Sequence, residues 1–193
     1  MAYFVTGATG FIGRYLVANL LKRGKPVYAL VRKGSQKKLD DLRKSLGATD
    51  KQLIAVPGDL AAKNLGVSAA DAKKLAGKID HFFHLAAIYD LNASADEQKV
   101  ANVEGTRNAV KLAAAIGAGC FHHVSSIAAA GLYEGVFRED MFEEAEELDH
   151  PYFGTKHESE GIVRKERKGA YRIYRPGFVV GHSKTGEIDN PNV

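Results

Sequence analysis

The sequence predicts an α/β protein, a doubly wound parallel sheet with helices on both faces. Short β-rich runs alternate with longer helical patterns along the whole chain, and only crossover connections through helices return such strands in parallel. The first run is followed at once by the glycine-rich segment Thr6-Gly7-Ala8-Thr9-Gly10-Phe11-Ile12-Gly13, a strand, turn and helix start in succession. With 193 residues, 45% of them hydrophobic, there is enough apolar material for one core of ordinary size. Strands are expected near 2–5, 26–31, 52–56, 79–84, 120–124 and 171–174, and helices near 11–23, 35–46, 68–76, 98–116 and 152–167. No repeat, low-complexity tract or linker divides the chain, so residues 1–193 read as a single domain.

Taken in order, the first strand runs into the spacing G-x-x-G-x-x-G. A helix opening there points its unpaired N–H groups and positive dipole end at the turn, and glycines let a pyrophosphate come close to the backbone. Gly7, Thr9, Gly10, Phe11, Ile12 and Gly13 are therefore candidates for a Rossmann-type dinucleotide site. Arg14 follows directly; it is either a second phosphate contact or a solvated helix charge. Lys22, Arg23 and Gly24 close the first helix by charge and a left-handed cap, and Pro26 forbids its continuation.

The second strand ends in Tyr28-Ala29-Leu30-Val31-Arg32-Lys33-Gly34-Ser35. An acidic residue there would hold the free ribose hydroxyls of NAD. Arg32 instead offers a permanently charged fork suited to a 2′-phosphate, with Lys33 and Ser35 beside it, so the expected cofactor is NADP(H). The alternative for Arg32 is an ordinary loop charge. After the third strand, Asp59 is placed to accept from an adenine amino group and Leu60 to pack on the ring; an Asp after Gly58 also suits a turn. Leu85-Ala86-Ala87, after the fourth strand, would let sugar and phosphate pass close to the backbone.

Tyr152-Phe153-Gly154-Thr155-Lys156 carries the chemistry. Four residues apart on a helix, Tyr152 and Lys156 share a face. A phenol with a pKa of about 10 is a poor acid or base at neutral pH, and a nearby ammonium lowers it toward the working range. Ser125-Ser126, after the fifth strand, supplies the hydroxyl that would hold a substrate oxygen at the C-terminal edge of the sheet.

Other features exclude functions. The net charge is +4, but lysines and arginines alternate with acids and form no stripe for nucleic acid. No apolar run approaches the roughly 20 residues of a membrane span and no secretory leader opens the chain, so the expected location is cytoplasmic. The single cysteine, Cys120, excludes an internal disulfide and a cysteine-rich metal cluster, and reads as a buried structural thiol. His81 and His84 flank one strand and His122 and His123 point to opposite faces of another, so no metal site is expected. The acidic run 139–147 reads as a solvated loop or short helix, or as a screen against free carboxylates. Leu132, Tyr133, Val136 and Phe137 form either an acyl channel or a local packing cluster.

The ordered set Thr6-Gly7-x-x-Gly10-x-x-Gly13, Asp59-Leu60, His84-Leu85-Ala86-Ala87, Asn102-x-x-Gly105-Thr106, Ser125-Ser126, Tyr152-x-x-x-Lys156 and Arg175-Pro176-Gly177 resembles the extended short-chain dehydrogenases/reductases. The resemblance implies a triad. Tyr152 donates a proton to the carbonyl oxygen, Ser126 polarises it, and Lys156 holds the ribose and lowers the tyrosine pKa. Ser126 is preferred to Ser125 because Ala130-Gly131 begins four residues after it, where the family has a similar pair. Asn102 would belong to the helix beneath the site, and Pro176 and Gly177 to the wall near the nicotinamide.

The stretches 81–90, 122–131, 137–142 and 174–177 are similar to the N-terminal domain of bacterial, alcohol-forming, two-domain fatty acyl-CoA reductases, and to related multidomain reductases. That likeness implies NADPH-dependent reduction of a long-chain acyl thioester or aldehyde, a truncated substrate-binding lobe and a second reductase domain in the full-length chain. The rival readings are a nucleotide-sugar epimerase or dehydratase retaining NAD, and an NADP-binding sensor without catalysis.

Overall fold

A computed structural model of the protein describes residues 1–88 and 94–186. Tyr89 and Asp90, part of the stretch with family likeness, and residues 187–193 lie outside the described residues. Among the described residues six strands, β1 (Ala2–Thr6), β2 (Val27–Val31), β3 (Leu53–Pro57), β4 (Ile79–His84), β5 (Cys120–Val124) and β6 (Ala170–Tyr174), form one sheet in the order β3-β2-β1-β4-β5-β6. Every pairing is parallel. This is the doubly wound α/β architecture the alternation predicts. The chain starts in the middle, winds outward through β2 and β3, and then crosses back to β4. The reversal between β1 and β4 opens a crevice at the strands' C-terminal ends, the usual ligand position in such sheets.

Both faces of the central strands are buried, which explains their continuous apolar and aromatic character. On one face Phe4, Phe82 and Phe121 stack across β1, β4 and β5, with centroids 4.6 and 5.3 Å apart. Val110, Leu112, Ile162 and Val163 of α5 (Gly105–Ala115) and α6 (Pro151–Glu166) close over them. The other face carries Tyr3, Val5, Val27 and Ala29 under Val17 and Leu20 of α1 (Phe11–Leu21) and Leu39 and Leu42 of α2 (Gln36–Leu46).

The helices differ from expectation at their ends. Helix α1 stops at Leu21, with Gly24 at φ +71° beyond it. The short α3 (Ala69–Leu75) is capped by Ser68. The segment expected as one helix over 98–116 starts earlier, because Ser94 and Glu97 make a reciprocal capping box that opens α4 (Ala95–Gln98). It then passes through a π-helical stretch, Lys99–Glu104, before α5. Helix α6 opens on Pro151 because His150 accepts a hydrogen bond from Tyr152 N and a first-turn proline lacks only an orphan donor. Cys120 is half-buried rather than buried, since β5 lies next to the exposed edge strand β6. Among the described residues no helix is long and apolar enough to cross a membrane.

Candidate active site

The glycine turn joins β1 to α1 at the reversal point. Gly7 has φ +75°, and a side chain there would put its Cβ 2.8 Å from Ala86 N, so glycine allows both the turn and its approach to β4. A Cβ on Gly13 would collide with Gly7 O, so this glycine lets α1 lie directly behind the turn. Gly10 is the N-cap and offers no capping side chain, leaving the first-turn N–H groups of α1 to a ligand.

In front of the turn lies a cavity of about 600 Å³. Gly7, Thr9, Gly10, Arg32, Ser35, Asp59, Leu60, Ala86 and Ala87 all line it, gathered from the ends of four strands. Arg32 is exposed at the end of β2, and Ser35 caps α2 without a side-chain bond to that helix. Asp59 Oδ1 accepts from Ala61 N at 2.9 Å, so its turn role and its place on the wall coexist. Phe11, Ile12, Gly13, Arg14 and Leu85 are not on the wall. Phe11 packs edge-on against Tyr15, Ile12 faces outward, Gly13 and Arg14 lie behind the turn within α1, and Leu85 joins the core under α1 and α2. Lys33 is likewise absent from it.

Sequence reasoning missed further residues of the wall, among them Lys38, Ile88, Asp96, Glu97, Val100 and Ala101. Lys38 had a legible signal: it stands three residues after the N-cap Ser35, in the first turn of α2. Val100 and Ala101 had none; they lie in the π-helical stretch Lys99–Glu104.

The second group of candidates lies outside this cavity, where β5 ends against α6. Lys156 is only 5% exposed; its Nζ donates to Val124 O at 3.3 Å and lies 6.0 Å from the Tyr152 ring centre. Burial lowers its pKa from 10.5 to about 8, so it still carries most of its charge at neutral pH. Ser126 caps the turn Ile127–Ala130, its Oγ accepting from Ala128 N at 3.1 Å. That turn is held to α6 by His157 Nδ1 and Ala129 O, 3.0 Å apart, and to Pro176 O by Ile127 N at 3.1 Å. Gly177 sits against Ile127. Ser126, Pro176 and Gly177 thus share one edge with the first turns of α6.

Ser125 is committed elsewhere, donating to Glu160 Oε2 at 3.0 Å. The Glu160 side chain is fully buried and also accepts from Arg164 at 2.8 Å and Arg175 at 2.6 Å. Burial alone would raise its carboxyl pKa, but these hydrogen bonds outweigh burial and hold it below the ordinary value. Arg175 further donates to Arg138 O and Met141 O, fixing the acidic segment to α6.

Beneath the site runs a buried polar chain that sequence reasoning did not anticipate. His84 bridges Thr6 Oγ1 (2.8 Å) and Thr106 Oγ1 (3.1 Å), and Thr106 reaches Asn102 O (2.6 Å). The Asn102 amide holds Ile88 N (2.8 Å) and Thr155 Oγ1 (3.3 Å). Burial, then the Lys156 charge, lowers the His84 pKa to about 3, so the ring is neutral.

Comparison with known proteins agrees with this architecture. A family model described as "Male sterility protein", an NAD-binding domain, matches residues 5–193. One of the polypeptides of the linear gramicidin synthase of Brevibacillus parabrevis is 36% identical over 201 residues, covering 96% of this chain and 4% of that protein. Aldehyde reductase lnbA of Aspergillus flavus is 33% identical over 210 residues, covering 98% and 21%. The terminal R domain of the myxalamid PKS-NRPS biosynthetic pathway superposes with a TM-score of 0.85 at 31% identity, covering 97% of this chain and 52% of that one. The chain therefore spans about a fifth or less of these two curated relatives and about half of the solved domain. The two relatives are a gramicidin synthase and an aldehyde reductase rather than fatty acyl-CoA reductases. With the glycine turn, the parallel sheet and a family match running almost end to end, the chain belongs to the male sterility protein family of NAD-binding domains, built on the extended short-chain dehydrogenase/reductase fold.

Proposed function

We propose that the chain is the cofactor-binding part of an NADPH-dependent reductase that acts on a carbonyl held as a long-chain thioester or aldehyde, toward the alcohol. The single observation that carries the reading is the cavity itself: an uncapped helix start on a glycine turn, with Arg32, Ser35 and Lys38 grouped at its far end. This is a donor set for a pyrophosphate and a further phosphate on the ribose. The bound cofactor would supply the hydride. Tyr152 gives the proton to the carbonyl oxygen, Ser126 donates a hydrogen bond to that oxygen, and Lys156 keeps the phenol acidic while reaching the ribose. Ser126 takes this role because the Ser125 hydroxyl is held by Glu160.

The long-chain assignment rests on Ile127, Leu132 and Val136, apolar side chains that are 56%, 56% and 79% exposed in the segment after Ser126. The relatives' greater length supports operation as one domain of a larger polypeptide, with further domains beside it. Arg32 in place of an acid argues against an epimerase that retains NAD.

Two variants test the reading in a polypeptide long enough to turn over. Tyr152→Phe should lower NADPH-dependent reduction of a long-chain aldehyde by about 10²- to 10⁴-fold, leaving NADPH affinity within about twofold. Full turnover would remove the tyrosine from the mechanism. Arg32→Ala should erase a roughly ten- to hundredfold preference for NADPH over NADH in calorimetry. Equal affinities in the unmutated protein, or NAD retained through purification, would overturn the cofactor assignment.

A further inference from the structure

We propose that His81, Cys120 and His122 form a binding site for a zinc-class divalent ion, on the face of the sheet opposite Lys156. The three residues come from neighbouring strands in register: His81 of β4 pairs with Cys120 of β5, and His122 follows two residues later on the same face. Their ligand atoms all lie within 4.8 Å of one another, and His81 Nδ1 is 2.9 Å from His122 Nε2. A tetrahedral zinc site, with bonds of about 2.0–2.1 Å to nitrogen and 2.3 Å to sulfur, needs N···N of about 3.3 Å and N···S of about 3.6 Å. That geometry requires the His81–His122 edge to open by about 0.4 Å and the edges to sulfur, now within 4.8 Å, to settle at about 3.6 Å. Two imidazoles and one thiolate also match the donor preference of zinc and leave a fourth position for water.

An independent feature supports the ligand role of His122. Its remaining nitrogen, Nδ1, lies 2.8 Å from the Tyr174 hydroxyl, and Phe83 stacks on the ring at 4.2 Å. Metal-bound histidines are fixed by such a partner on the other ring nitrogen, which settles tautomer and ring orientation. Arg172, paired with His122 in the β5–β6 register, opposes a bare cation. The Cys120 thiolate compensates, its proton passing to solvent as the metal–sulfur bond forms. A bound ion would tie β4 to β5, and through Tyr174 to β6, beneath the strand ends that carry Ala86, Ser126 and Pro176.

The test uses the whole chain, stripped with chelator and titrated with Co(II) and then Zn(II). One equivalent of Co(II) should give a thiolate charge-transfer band with tetrahedral visible bands, displaced by Zn(II). Cys120→Ser, nearly isosteric at a half-buried position, should remove the charge-transfer band while circular dichroism is unchanged. Tyr174→Phe should weaken the affinity about ten- to hundredfold. Absence of a thiolate band at one equivalent, or a band that survives Cys120→Ser, would overturn the site.

Discussion

Replacing Lys156 by methionine should make the protein more stable and less competent, and the size of the gain depends on pH in a calculable way. Lys156 is 5% exposed and its ammonium donates to Val124 O. Lowering its pKa from 10.5 to about 8, at about 1.36 kcal/mol per tenfold change in proton affinity, means that burying the ammonium costs about 3 kcal/mol. Methionine keeps the volume and removes the charge, while the lost hydrogen bond at Val124 O costs about 1 kcal/mol. The variant should therefore gain about 2 kcal/mol at pH 7. The lysine is charged in both folded and unfolded chains below pH 8, so the penalty is fully present there. Between 8 and 10.5 the folded protein releases the proton while the unfolded chain keeps it, and wild-type stability rises relative to the variant. Urea unfolding of both proteins at pH 7 and pH 10.5 measures this: the advantage should shrink to zero or reverse at the higher pH. An advantage unchanged between the two pH values, or a loss at pH 7, would refute the argument.

Glu160→Gln leaves Arg164 and Arg175 with a neutral partner in a buried setting and should cost about 2–3 kcal/mol at pH 7, read from thermal melts. Because the carboxyl is held below its ordinary 4.5, that difference is complete above pH 4.5 and closes as acid protonates the wild type. Gly13→Ala drives a methyl into Gly7 O, which is backbone and has no rotamer to change; a loss of about 3 kcal/mol is expected together with weaker dinucleotide binding by calorimetry. Wild-type stability in Gly13→Ala would show that α1 can move away from the turn.

The six strands and the glycine turn are legible in the sequence because their signals are local: apolar runs of strand length, and glycine spacing right after the first of them. The cavity wall is legible where each strand ends, as at Arg32, Asp59 and Ala86. It is illegible at Val100 and Ala101, because a π-helical stretch follows from packing rather than from a motif. The grouping of His81, Cys120 and His122 is hidden for a different reason. Spacing within each segment argues against a metal site, whereas the β4–β5 register brings together residues about forty positions apart. The choice of Ser126 over Ser125 rests in the sequence on family spacing alone; in the structure the Ser125 hydroxyl donates to Glu160 and the Ser126 hydroxyl accepts from Ala128 N, contacts that no spacing announces.

The buried chain of hydrogen bonds from Ala86 to Asn102 also has a determined direction. Thr106 Oγ1 spends its one proton on Asn102 O at 2.6 Å, so it must accept from His84 Nε2. A neutral ring protonated on Nε2 accepts at Nδ1, so Thr6 donates there and in turn accepts from Ala86 N at 3.2 Å. The order Ala86, Thr6, His84, Thr106, Asn102 therefore has a single consistent set of protons. Charging His84 would break it, and with a pKa of about 3 that does not happen near neutrality. Asn102 then clamps the Ile88 backbone through both its oxygen and its amide, and the same amide reaches Thr155, whose hydroxyl bonds Tyr152 O in the first turn of α6. The cavity wall at Ala86 to Ile88 and the helix turn bearing Tyr152 are joined by one hydrogen-bond network, so under the proposed function dinucleotide position and proton donor would be set together.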